Sequence, residues 1–251
     1  MIEIRNSIFS DRAELFNLWS EAFHDTDSYI NNFFDTAYCD SHCRVLCVNK
    51  KIVSALYIID CLLNGKKIAY IYAVATLKAY RGHVLYQKLA ESTHEYLKAL
   101  GYAGEILVPA TKELFGYYEK LGYKTIGFAD TFEDTALSAP LKIQKLNVKE
   151  YAGLRKKLLP ENGASLGTRG LALLESIASF YATDNALFAC ETREGRLFVH
   201  EFLGDKAEAP AILAALDIKQ GIFRTIGNSP FLMGYSLNEE ISSIYFPFAF
   251  D

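Results

Sequence analysis

At 251 residues, 51% hydrophobic and 22% charged, the chain fits one large soluble domain or two small ones. A net charge of −4 argues against a general nucleic-acid or anionic-membrane binder. No apolar run reaches the ~18 residues of a membrane helix, and "MIEIRNSIF" lacks a signal-peptide apolar core, so the cytoplasm is the expected compartment.

"MIEIRN" alternates and predicts a strand. "SDRAELFNLWSEAF" predicts a helix with Ser10 or Asp11 at its N-cap and Leu15, Leu18, Trp19 and Phe23 on one face. "DSYINNFFDTAY" predicts a second, short helix. The five cysteines are odd in number, which argues against a disulfide framework. Cys39, Cys43 and Cys47 recur every fourth residue with His42 among them. No CxxC pair is present, and the spacing crosses a predicted helix end, so reduced thiols rather than a metal are expected.

Three strands follow, "CRVLCVN", "IVSALYIIDCLL" and "KKIAYIYAVATL", joined by turns at "NKK" and "NGKK". Then comes "AVATLKAYRGHVLYQKL": a strand, a basic turn at Tyr80–Gly82, and a helix expected to start near His83. The first amides of a helix lack internal acceptors and carry the positive end of its dipole, which suits an anion. Lys78, Arg81, His83 and Lys88 add positive charge. The same residues also suit a plain strand–loop–helix, with Arg81 in solvent and Gly82 only turning the chain. The helix runs to Leu100 with Gly101 as its C-terminal glycine. "AGEILVPAT" predicts a buried strand, "KELFGYYEKLGY" a helix ending at Gly122, and "KTIGFADTF" a strand.

A seam falls at "EDTALSAPLK", where Pro140 interrupts pairing. Beyond it, "LKIQKL" predicts a strand, and "NVKEYAGLRKKLL" and "GTRGLALLESIASFYA" predict helices. "ALFACET" and "RLFVHEFLG" predict a hairpin, "KAEAPAILAALD" a helix, and "FRTIGN", "FLMGYSLN" and "SSIYFPFAFD" strands. The two halves share an order of elements, with the second reduced. His94 reads as a surface residue, and Cys190 and His200 as packed strand residues.

The order strand–helix–helix–three strands–helix–strand–helix–strand over residues 1–136 resembles the GNAT superfamily of acyl-CoA-dependent N-acetyltransferases. So do "VATLKAYRG" and the spacing Tyr118-x-x-x-Gly122-Tyr123. The two-part arrangement is similar to that of the Eis-type aminoglycoside acetyltransferases. The resemblance implies an α/β (α+β) fold. A mixed, mostly antiparallel sheet flanked by helices is expected over residues 1–137. A smaller α+β domain over 141–251, read as a reduced GNAT-like copy, completes or covers the acceptor site.

The resemblance further implies transfer of an acetyl group from acetyl-CoA to a small-molecule or peptide amine by direct attack, with no metal. Amides of Val74, Ala75 and Thr76 would face the pantetheine arm. Arg81 opens the family's Gln/Arg-x-x-Gly-x-Gly/Ala motif, and Gly82, His83, Val84, Leu85, Tyr86 and Gln87 would wrap the pyrophosphate. Val84 and Tyr86 stand where the motif has glycine, and Lys78 where it commonly has proline. Val84 is expected to keep helical dihedrals while its Cβ crowds the ligand, weakening or shifting CoA binding.

Tyr118 would protonate the departing thiolate; the other reading is aromatic packing of Tyr117 and Tyr118. His24, Asp25 and Asp27 are candidate bases, weighed against solvated loop residues. The carboxylate at Asp251 is a further candidate base, weighed against simple docking of a last strand or an aromatic lining for the acceptor pocket. The alternative function is a non-catalytic acyl-CoA-binding or regulatory protein, which Val84 and Tyr86 favour and Tyr118 opposes.

Overall fold

The computed structural model describes residues 1–137 and 139–250. Its elements begin β1 (Ile2–Asn6), α1 (Arg12–Phe23), α2 (Asp27–Thr36), β2 (Cys43–Val48), β3 (Lys51–Leu63) and β4 (Lys66–Thr76). They continue α3 (Leu85–Ala99), β5 (Gly104–Leu107), α4 (Lys112–Lys120), β6 (Lys124–Thr135), β7 (Gln144–Leu146) and α5 (Val148–Leu158). Last come β8 (Ser165–Leu166), α6 (Thr168–Ile177), β9 (Ser179–Ala182), β10 (Ala186–Arg193), β11 (Arg196–Gly204), α7 (Ala209–Ala215) and β12 (Gln220–Ser236). The fold is mixed α/β with a mostly antiparallel sheet flanked by helices. The chain forms two compact units: Met1–Lys124 with Leu166–Leu173 and Met233–Ser242, and Thr125–Ser165 with Leu174–Leu232 and Ser243–Asp251.

In the first unit the strand order is β1-β2-β3-β4-β5, with the end of β12 beside β5. All neighbours are antiparallel except β4 and β5, which are parallel and joined by the crossover helix α3. Leu85, Leu89 and Leu97 bury one face of α3 on this sheet, with Leu46, Val53 and Leu56 among their neighbours. Fully burying such a leucine contributes about 1.5–3 kcal/mol. Gly101, at φ +78°, ends the helix: its N–H bonds the carbonyl of Lys98 and the Tyr102 N–H bonds that of Leu97, a Schellman pattern.

Two irregularities open this sheet. Parallel pairing of β4 with β5 stops at Tyr70 opposite Ile106, although β4 runs on to Thr76. On its other edge, Tyr72 faces Tyr57 and Ala75 faces Ala55, so β4 holds one residue more than β3 over that interval. The surplus is a β-bulge, with Ala73 at φ +45°.

The second unit repeats this plan at smaller scale. Its strands run β7-β9-β10-β11-β12, antiparallel until β11 and β12, which are parallel and joined by α7. Its crossover helix is shorter, 7 residues in α7 against 15 in α3. Buried Glu201 receives hydrogen bonds from Arg155 Nε at 2.6 Å and Nη2 at 2.9 Å and from the Tyr151 hydroxyl.

Three expectations change. The helix predicted through "SFYA" stops at Ile177, because Ser179–Ala182 pairs with β10 and the alternation of Phe180 and Tyr181 suits a strand. "FRTIGN" and "FLMGYS" belong to the single strand β12, and Leu237 and Asn238 lie beyond its end. The described residues of "SSIYFPFAFD", Ser242–Phe250, form no strand. They make an isolated bridge, Tyr245 to Gly163, and Pro247 has no N–H for a ladder. Tyr245, Phe246, Phe248 and Phe250 are nevertheless buried, and the Arg155 guanidinium lies over Phe248 at 5.0 Å.

Candidate functional site

The open end of β4, the turn before α3 and the face of α4 enclose a cavity of about 620 Å³ in the first unit. Val74 and Thr76 line it from β4, Arg81 to Gln87 from the turn and the start of α3, and Leu114, Tyr117 and Tyr118 from α4, with Leu121 at its C-cap. Every residue expected to hold the ligand is therefore in its wall except Ala75. The expectation did not include Tyr80 and Lys120, which also line it. The α4 residues sit three and four apart, a helical-face signal that the short segment carries in its sequence.

Backbone direction explains Ala75. Successive residues of a strand turn their N–H and C=O to opposite edges. The Ala75 carbonyl accepts from Ser54 Oγ on β3 at 2.9 Å, and Leu77 N–H donates to the Val53 carbonyl on β3 at 2.9 Å. The Thr76 carbonyl points the other way, accepting from Arg81 Nε at 2.9 Å. The polar edge offered to the cavity thus belongs to Val74 and Thr76, while Ala75 is committed to β3.

The helix begins at Leu85, later than the His83 start expected from the sequence. Gly82 is at φ +80° with open space where a Cβ would lie. Val84 is at φ +51°, ψ +17°, left-handed rather than helical as expected, and its side chain is 60% exposed. Glycine enters this region freely and a β-branched residue does not. The Val84 carbonyl accepts from Lys88 N–H at 3.2 Å. The amides of Leu85, Tyr86 and Gln87 precede the first donor of the helix ladder, and so they form its anion-accepting end.

Tyr86, in the other glycine position, is 7% exposed, and its buried hydroxyl makes no hydrogen bond. Its ring meets Tyr118 edge-on at 6.1 Å and Tyr117 at 6.1 Å. Tyr118 sits in the last turn of α4, where its carbonyl accepts from Tyr123 N–H at 3.1 Å across Gly122, at φ +91°. The four-residue spacing of Tyr118 and Gly122 is thus the spacing of a Schellman cap. Burial, then the neighbouring Tyr117, push the Tyr118 phenol well above the ordinary tyrosine range, against a smaller lowering by Tyr86.

Behind Tyr118 lies a buried polar chain. Tyr123 packs on Tyr118 at 5.5 Å and donates its hydroxyl proton to Glu105 Oε1. His94 Nε2 is 2.8 Å from the same oxygen, and the His94 ring stacks on Tyr235 at 4.0 Å. His94 is 7% exposed, not a surface residue as expected. It lies on the buried stripe of α3, one residue after Thr93 and three before Leu97, a position the helical period marks as inward.

Of the candidate bases, Asp25 accepts from Trp19 Nε1 at 2.8 Å, His24 caps α1 in a left-handed conformation, and Asp27 is exposed in the first turn of α2. No carboxylate lines the cavity among the described residues. Asp251 lies outside the described residues. Cys190 is buried, its thiol pushed up to about 12 by that burial, and His200 pairs with Glu191 at 2.8 Å. Among the described residues no group of three or more His, Cys, Asp or Glu side chains could hold a metal ion, and no helix is long and apolar enough to cross a membrane.

A bulged β4 splayed from β5, with a helix N-terminus across the gap, defines a GNAT-type fold. Residues 3–126 match the family model described as an acetyltransferase (GNAT) domain. These residues carry a GNAT-type acetyltransferase domain. Its structure is similar to that of a GCN5-related N-acetyltransferase from Anabaena variabilis, with TM-score 0.73, 15% identity, and coverage of 95% of this chain and 73% of that one. It is also similar to one from Kribbella flavida, with TM-score 0.70, 13% identity, and coverage of 95% and 72%. Likeness to Eis1 from Mycobacterium abscessus has TM-score 0.65 at 9% identity, covering 94% of this chain and 74% of that one. At these identities the likeness is one of fold. A comparison with curated protein sequences gives no match.

Proposed function

We propose that the protein is an N-acetyltransferase that moves an acetyl group from acetyl-CoA to an amine. The observation that carries this reading is that one cavity brings together Val74 and Thr76, where β4 is no longer paired with β5, the Arg81–Gln87 turn and Tyr118. The fit is physical. A free strand edge offers an N–H and a C=O to the amide groups of a pantetheine arm, as a partner strand would. A helix N-terminus beside Arg81 suits a pyrophosphate. Acetyl-CoA would supply the acyl group as a thioester, already activated toward an amine.

The chain's own residues position and protonate. Val74 and Thr76 hold the arm in register, and Leu85, Tyr86 and Gln87 amides fix the charged end, which gives the orientation that accounts for much of the rate in direct transfer. Tyr118 Oη holds a proton at neutral pH because burial disfavours its anion, and it presents that proton to negative charge developing on the leaving sulfur. Leu114 and Leu121 make that wall apolar, where such a hydrogen bond is stronger than in water.

The acceptor is an amine, small or peptidic. Incubation with acetyl-CoA and an amine library, read by release of free CoA thiol, tests the reading. Acceptor-dependent release supports it. A CoA-induced thermal shift without release from any amine instead supports a non-catalytic acyl-CoA binder, a reading that the Tyr86 ring at a glycine position favours.

A further inference from the structure

A second group of reactive side chains lies in the first unit, away from the cavity. Cys39 immediately precedes a short 3-10 turn, Asp40–His42, that leads into β2. Ser41 Oγ is 3.0 Å from Cys39 Sγ and 3.0 Å from His42 Nδ1. On the far side of the ring, His42 Nε2 is 3.2 Å from Asp60 Oδ2. The Tyr102 hydroxyl donates to Asp60 Oδ1, and Tyr96 donates to the Ser41 carbonyl at 2.8 Å. The sequence juxtaposes Cys39 and His42, but only the pairing of β2 with β3 adds the carboxylate.

We propose that Cys39 is a reactive thiol that exchanges with small-molecule disulfides, with Ser41, His42 and Asp60 as the apparatus that activates it. The line thiol–hydroxyl–imidazole–carboxylate orients a base toward the sulfur, which is how a protein activates a nucleophile. Cys39 is also the accessible thiol: it is half-buried, whereas Cys43, Cys47, Cys61 and Cys190 are 0–2% exposed.

The electrostatics agree. Burial alone would raise the Cys39 thiol, but the hydrogen bond from Ser41, the nearby His42 imidazole and the positive charge of Arg169 hold it below the ordinary value. The hydrogen bond to Asp60 raises His42, favouring the imidazolium. Among the described residues, Ser41, His42, Asp60, Tyr96 and Tyr102 are the polar groups bonded along this line, and Arg169 acts on it by its charge.

In the exchange, the Cys39 thiolate attacks one sulfur of the disulfide. The S–S bond breaks as the Sγ–S bond forms, and the other half leaves with the bonding pair and takes the His42 proton. Cys39 is oxidised and the departing half is reduced.

The test incubates the native full chain at pH 6.5 with bis(2-hydroxyethyl) disulfide and follows intact mass and peptide maps. The expected result is one adduct, on Cys39, forming about tenfold faster than on the same protein in denaturant. His42→Gln is expected to remove that advantage in the native protein and leave the denatured rate unchanged. An adduct on another cysteine, a native rate no faster than the denatured one, or an unaltered rate in folded His42→Gln overturns the proposal. The pH profile of the native protein decides independently of any variant: the rate is expected to level off below the ~8.5 of a free thiol, and a rise that continues to that pH contradicts it.

Discussion

Arg81 Nε donates a 2.9 Å hydrogen bond to the Thr76 carbonyl, tying the turn before α3 to the free edge of β4. The bond engages Nε of a residue that lines the cavity. Replacing Arg81 removes both the tie and a charge. Arg81→Ala is expected to weaken CoA binding about tenfold, the scale of one exposed charge-assisted hydrogen bond. The thermal midpoint of the ligand-free protein is expected to stay nearly constant. Titration calorimetry and thermal melts check the two halves of this statement.

Val84 holds a backbone conformation that glycine takes without penalty. The left-handed region costs an L-residue about 1–2 kcal/mol, and glycine costs about 0.5–1 kcal/mol in unfolded-chain entropy. Val84 is mostly exposed, so its removal loses little packing. Val84→Gly is expected to stabilise the protein by about 0.5–1 kcal/mol, a rise of about 2 °C in Tm, and to tighten CoA binding. Val84→Ala, which keeps a Cβ at φ +51°, is expected to give neither gain.

The proposed transfer has Tyr118 as its proton donor. Tyr118→Phe keeps the ring that packs on Tyr86 and Tyr123 and removes only the hydroxyl. The expected outcome is a fall in kcat of about 10²-fold, the lower end for general acids, with CoA affinity within about twofold. Steady-state kinetics on an identified amine and a CoA titration measure both. Full turnover in the variant removes the role.

Alkaline pH is expected to destabilise the fold. Burial raises Tyr57, Tyr72, Tyr86, Tyr123 and Tyr151 well above the usual tyrosine value, and Tyr118 is raised as well. With folded values above the unfolded ~10, the stability linked to these protons is whole below pH 10. It is lost as pH rises above 10, because the unfolded chain then releases protons that the folded one keeps. Thermal melts should be flat from pH 7 to 9 in this respect and should fall steeply above 10, with tyrosinate absorbance appearing together with unfolding.

Much of the first unit was legible because its signals are local. The alternation in "MIEIRN", the leucine stripe of α3, and Gly101 and Gly122 each name an element or its end. The four-residue spacing of Tyr118 and Gly122 was legible because cap geometry sets it. The left-handed Val84 and the later helix start were not legible, since a valine there predicts helix and only the surrounding turn forces it otherwise. The bulge at Ala73 is a mismatch in count between β3 and β4, which no single strand records. Ala75 read like its neighbours, and its commitment to Ser54 depends on register. The aromatic tail read as a strand because aromatic residues favour strands, yet burial around Arg155 and the break at Pro247 decide otherwise.

The central claim is that the cavity between β4, the Arg81–Gln87 turn and α4 is an acyl-CoA site. Calorimetric titration of CoA into the native protein, up to millimolar ligand, tests it most directly. The account predicts saturable heat for one site per chain, weakened by Arg81→Ala and strengthened by Val84→Gly. No heat at millimolar CoA, together with no shift in Tm, would contradict it.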